Sequence, residues 1–185
     1  MDLEKLLQDK KTAILKRWFV LVVETYPDES GRFLKYQKDR FANPLGHTLS
    51  QGLDKLYAEV VAGVDPERAA PALNDIVRIR AIQNFSPSQA VAFVFILKNV
   101  LREILKEDIR NPELQEDLLK VETRIDQLAL QAFDQYMGCR EKLYDLKTNE
   151  LRRQTYRLLQ RAKIIGDLSP EDDLNSPIGN DTSGK

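Results

Sequence analysis

The chain's one histidine, His47, lies in "RFANPLGHTL" (residues 40–49), behind an Asn-Pro pair and beside Gly46. A lone imidazole can act as a general base, a metal ligand or the proximal ligand of a haem iron. Each of those roles needs partners. The chain contains no HExxH, no CxxC and no glycine-rich phosphate loop, and no recognisable spacing joins His47 to a nucleophile. A second group with chemistry is "RIRAIQNF" (residues 78–85), where Arg78, Arg80 and Gln83 stand directly before a helix start. Two arginines two positions apart point to different sides of a helix, so one of them can face inward and hold a carboxylate or a ligand anion, while an interhelical salt bridge is the plainer alternative. The single cysteine, Cys139, excludes an intrachain disulfide and a multi-cysteine metal site.

The elements that must position these residues are helical throughout. Leu3, Leu7, Ile14, Trp18 and Leu21 follow helical spacing, so residues 2–26 read as one amphipathic helix ended by Pro27. A weaker pattern predicts a short helix over 28–40. Asn43-Pro44, Asp65-Pro66, Ser86-Pro87 and Asn111-Pro112 are four helix starts, because the first residue can accept from a free backbone N–H and proline gives up a donor that has no partner. Gln89 completes a capping box with Ser86. In the helix running from Pro44 to Gly63, the stripe Leu45, Leu49, Leu53, Leu56, Val60 leaves His47 about 200° away, beside Gln51, Asp54 and Ala58. An iron ligand needs an apolar pocket, so haem is not expected. The helix opened at Pro66 runs to about Gln83 and buries Ala69, Leu73, Ile76 and Val77.

"AVAFVFIL" (residues 90–97) is apolar on every side and is expected to be the covered central helix. From Pro112, the residues Leu114, Leu118, Val121, Ile125, Leu128 and Ala132 hold a 4-3-4-3-4 spacing that resumes at Cys139, Leu143 and Leu146. A helix of up to about 50 residues follows, around 75 Å at 1.5 Å per residue. Cys139 on that stripe reads as a small buried hydrophobe. Residues 166–185 are polar, rich in Pro and Gly, and expected to be disordered.

Composition narrows the function classes. Basic residues number 28 and acidic residues 29 in 185, so no net positive charge draws the whole molecule to nucleic acid or an anionic membrane. The longest apolar run is eight residues, against about 20 for a membrane span. The start, "MDLEKLLQDKK", lacks a signal-peptide core, and a cytoplasmic location is expected. Catalytic parts are missing, and a non-enzymatic protein without cofactor or metal is the expectation.

"FANPLGHTL" and "RIRAIQNFSPSQAVAFVFILK" resemble signature segments of the RsbRD-type N-terminal domain, the helical input module of bacterial RsbT co-antagonist proteins. The resemblance covers most of residues 10–145. It implies an intracellular, dimerising sensory domain; in the wider RsbR-type group, input domains are globin-like without haem. Such domains are usually followed by a STAS domain, and after Lys163 only a short polar segment remains, so a stand-alone input module is expected. The resulting picture is an all-α helical bundle, globin-like in one form, over residues 1–165 with a tail at 166–185. A small ligand or protein partner would sit near Asn43, Gly46, His47, Arg78, Arg80 and Gln83. Cys139, Leu143, Leu146 and Leu151 would form a homodimer seam. A ligand-free structural adaptor is the alternative, favoured if the core beneath those ligand-site residues is solid.

Overall fold

Proline starts four of the helices seen in the computed structural model, which describes residues 2–27 and 43–161. Among these residues there are six α-helices and no strand: α1 (Leu3–Asp9), α2 (Lys11–Val23), α3 (Pro44–Ala62), α4 (Pro66–Ile82), α5 (Pro87–Ile104) and α6 (Pro112–Arg161). All four expected starts occur where the sequence places them. Asn43 Oδ1 accepts from Gly46 N at 2.8 Å, Asp65 Oδ1 from Glu67 N at 2.9 Å, and Asn111 Oδ1 from Glu113 N at 3.0 Å. Ser86 and Gln89 form the reciprocal capping box, with bonds of 3.3 and 3.0 Å. Each side chain satisfies a backbone donor that the helix leaves unpaired, which is why these starts are legible locally.

The chain divides into two compact units, Met1–Arg140 and Glu141–Lys185. In the first, Trp18 is fully buried and its indole N–H donates to Phe93 O at 2.7 Å, tying α2 to α5. Tyr57 of α3 donates to Leu7 O of α1 at 2.9 Å. The three-residue connection between α3 and α4 makes them an antiparallel hairpin. Its close approach is at Gly52, where a Cβ would stand 2.9 Å from Ile76 Cδ1. Lys98–Asp126 at 2.6 Å and Arg102–Glu122 at 2.6 Å pair α5 with α6. Arg124 of α6 donates to the C-terminal carbonyls of Val60 and Val61 at 3.2 and 2.9 Å, capping α3 from outside its own sequence. In the second unit, residues 141–161 are helical and none is buried.

Three expectations change. The first helix is interrupted at Lys10, whose ammonium reaches Ile104 O at 3.3 Å and Asp108 Oδ2 at 2.5 Å, and Val22 takes the buried position expected of Leu21. Residues 90–97 are not covered on every side: Phe95 is 44% exposed and Ile96 half-buried. Neighbouring helices bury only the stripe Ala90, Val91, Phe93, Val94 and Leu97. Cys139 is half-buried, its Sγ 3.8 Å from Asn74 Oδ1 of the same chain. The expected helix over 28–40 and the tail over 166–185 lie outside the described residues.

Candidate functional site

The α3–α4 hairpin brings the two singled-out stretches to one end. With Gly52 packed against Ala72 and Ile76, running back along α3 to Asn43 corresponds to running forward along α4 to Gln83. Asn43 is buried and holds the Gly46 N–H. Gly46 is tied to that cap, because a Cβ there would fall 2.3 Å from Asn43 Nδ2. His47 is half-buried and off the core stripe, as its angle predicts. Its Nε2 atom is buried and has no hydrogen-bond partner among the described residues.

Of the two arginines, Arg80 faces inward and Arg78 is exposed, as is Gln83. Arg80 is wholly buried. Its guanidinium lies 4.8 Å from the ring centres of Tyr26 and Phe85 and 5.2 Å from that of Phe93. Nη1 donates to Gln89 O at 2.9 Å, Nη2 to Thr25 Oγ1 at 2.8 Å, and Nε–H has no acceptor among the described residues. The inward arginine therefore holds a carbonyl, a hydroxyl and three aromatic faces, with no carboxylate among its described partners. Desolvation lowers the Arg80 pKa, opposed by the neighbouring Tyr26 phenol. Burial raises Tyr26 above 10.0, with the Arg80 charge working against it. The π faces offset part of the cost of burying the cation.

Sequence reasoning missed the partners of Arg80. Arg80 continues the buried line Ala69, Leu73, Ile76, Val77, so its inward direction was available from spacing. Thr25, Tyr26, Phe85 and Phe93 come from three other segments, and nothing local announces their convergence. Two residues of α6 complete the surroundings: Tyr136 donates its buried hydroxyl to Phe85 O, and Arg140 Nη1 donates to Ala81 O at 3.3 Å.

Clefts lined by described residues open on the first unit. One of about 490 Å³ lies between α2 and α3, lined by Leu15, Lys16, Phe19, Gln51 and Asp54 among others. Another of about 440 Å³ adjoins Arg102, Ile109, Leu119 and Glu122, and a third of about 250 Å³ adjoins Leu3, Ala62 and Arg124. None of the three is lined by Asn43, Gly46, His47, Arg78, Arg80 or Gln83. Among the described residues no three His, Cys, Asp or Glu side chains converge as a metal site. No helix there is long and apolar enough to cross a membrane.

The sequence matches the RsbT co-antagonist protein rsbRD N-terminal domain over residues 12–151, from the start of α2 almost to the end of α6. The chain belongs to this family. The rsbRD N-terminal domain is a regulatory input domain, not a known enzyme family. An uncharacterized protein of Archaeoglobus fulgidus is 31% identical over 80 residues, covering 43% of this chain and 49% of that protein. The match thus spans about half of that relative's own length. No solved structure matches the chain.

Proposed function

We propose that this rsbRD N-terminal domain is a non-enzymatic, cytoplasmic sensory module of the stressosome type. It takes a small ligand or a protein partner at the end of the α3–α4 hairpin and signals through α6 as a homodimer. The observation that carries the reading is the make-up of α6. Up to Tyr136 the helix buries a regular apolar line, whereas Tyr144, Leu146, Leu151 and Leu158 are 57 to 67% exposed. Burying a large aliphatic side chain gains roughly 1.5–3 kcal/mol, so a helix carrying such residues is stabilised by a second helix. Tyr144, Leu151 and Leu158 recur every seven residues, the spacing of a coiled-coil position. In this reading Leu143, half-buried, flanks the contact, and Cys139, held near Asn74, stands at its edge. On the ligand side, the Nε2 atom of His47, buried and without a partner among the described residues, is a polar group that could meet a guest.

A ligand-free structural adaptor is the second reading, and the filled Arg80 cage favours it. Native mass spectrometry of the purified full chain separates the two. A dimer that carries a co-purified small molecule or protein supports the sensory module. A dimer that carries nothing from any growth condition supports the adaptor, and a monomer contradicts the dimer common to both.

A further inference from the structure

We infer that the Ala81–Phe85 connection couples the Arg80 cage to α6, with Tyr136 and Arg140 as positioning residues that carry the state of the cage into that helix. This rests on the reading of the chain as an input module signalling through α6, and it supplies a route.

The connection is gripped from two sides. On the cage side, the Phe85 ring lies against the guanidinium and packs edge-on to Tyr26 with centroids 5.3 Å apart. Phe85 N donates to Arg80 O at 3.2 Å. On the α6 side, the Tyr136 hydroxyl donates to Phe85 O, and Arg140 Nη1 reaches both Ala81 O at 3.3 Å and Asn84 Oδ1 at 3.4 Å. Between them Asn84 holds φ 60°, a left-handed conformation that asparagine tolerates and that fixes the reversal between α4 and α5. Phe85 thus carries both contacts: its ring belongs to the cage and its carbonyl to α6. Neither can move far without the other.

The cage holds one donor that its described neighbours leave unsatisfied. Thr25 Oγ1 accepts from Arg80 and donates to Val22 O at 2.6 Å, so the end of α2 is a further member. Among the described residues, the rigid fork of Arg80 leaves Nε–H unmet in a fully buried position, where polar groups are normally paired. A rotation that satisfied Nε would withdraw Nη1 from Gln89 O or Nη2 from Thr25. Either change shifts the rings that hold Phe85, and through its carbonyl the seat of Tyr136. A packed cluster that can take up such a second arrangement can transmit a signal. A cycle of variants measures the coupling.

Amide hydrogen exchange is measured on the full chain for wild type, Arg80→Lys, Tyr136→Phe and the double variant. Arg80→Lys is expected to speed exchange several-fold at residues 81–90 and also at 133–140 of α6. In the Tyr136→Phe background, Arg80→Lys should add nothing at 133–140. Unchanged exchange at 133–140 in Arg80→Lys, or additive effects in the double variant, would overturn the coupling. Circular dichroism and the emission of Trp18, bonded to Phe93 O at the cage wall, report whether the fold survives. Should Arg80→Lys not fold, Phe85→Leu, which removes one wall and spares the guanidinium bonds, carries the same expectation. No ligand or oligomer enters this measurement. A negative result therefore removes the route, while ligand retention and dimer formation are judged separately by mass.

Discussion

Replacing Gly46 with alanine should destabilise the protein even though alanine is the better helix former. In an unconstrained helix interior the exchange gains about 1 kcal/mol. Here the new Cβ would stand 2.3 Å from Asn43 Nδ2 and 2.8 Å from its Cγ and Oδ1, so the Asn43 side chain must swing away. That breaks the 2.8 Å bond to the Gly46 N–H, a cap worth about 1 kcal/mol. It also disturbs an amide on a residue only 4% exposed, at about 1–3 kcal/mol if left unsatisfied. Against the propensity gain, the net loss is about 1–3 kcal/mol. Asn43→Ala removes the obstruction. In that background Gly46→Ala should stabilise by up to about 1 kcal/mol, a reversal of sign. Urea unfolding of the four proteins, followed by emission of the single Trp18, measures this directly. A stabilising Gly46→Ala in the otherwise unaltered chain would refute the argument that the Asn43 cap requires glycine there.

Burial raises the Tyr57 and Tyr26 phenols above 10.0, so the folded state keeps protons that the unfolded chain releases above that pH. Stability present below pH 10 should therefore fall as pH rises beyond it, by about 1.4 kcal/mol per pH unit from Tyr57 while its phenol stays protonated only in the folded state, and Tyr57→Phe should flatten the decline seen in urea titrations. Arg102→Met leaves the Glu122 carboxylate, 6% exposed, without its two bonds of 2.6 and 2.8 Å. A loss of about 1–3 kcal/mol is expected by chemical unfolding, partly recovered in the double variant with Glu122→Gln. Ser86→Ala should cost about 1 kcal/mol in the same assay by opening the capping box.

What was legible in the sequence is what local chemistry decides. Asn43, Asp65, Ser86 and Asn111 cap the backbone within three residues of themselves, and the proline after each marks the same boundary. The line Leu114 to Leu128 of α6 is buried because its spacing holds it to one face. The interruption at Lys10 was not legible, since its partners lie more than ninety residues away, at Ile104 and Asp108. The exposure of Phe95 was not legible either: an all-apolar run says what a helix tolerates on each side, not which neighbours arrive. In the candidate site, Asn43 and Gly46 are legible through their motif, and in the structure they shape the start of α3. Arg80 was found as one of two arginines, while the three rings around it are a tertiary event. His47 was placed correctly off the stripe, and the buried, unpartnered state of its Nε2 is visible only in three dimensions.

If α6 is the output helix of a dimeric input module, its distal part must pair with a second copy. Past Arg140 it carries two apolar lines, one through Leu143 and Leu146 and one through Tyr144, Leu151 and Leu158. Leu146→Glu plus Leu151→Glu charges one exposed residue on each line without touching a buried side chain. Sedimentation of the wild type and this variant at matched concentration tests that pairing most directly. The expected result is a dimer that the two charges convert to a monomer with unchanged helicity. A wild type that sediments as a monomer, or a dimer that both charges leave intact, would contradict it.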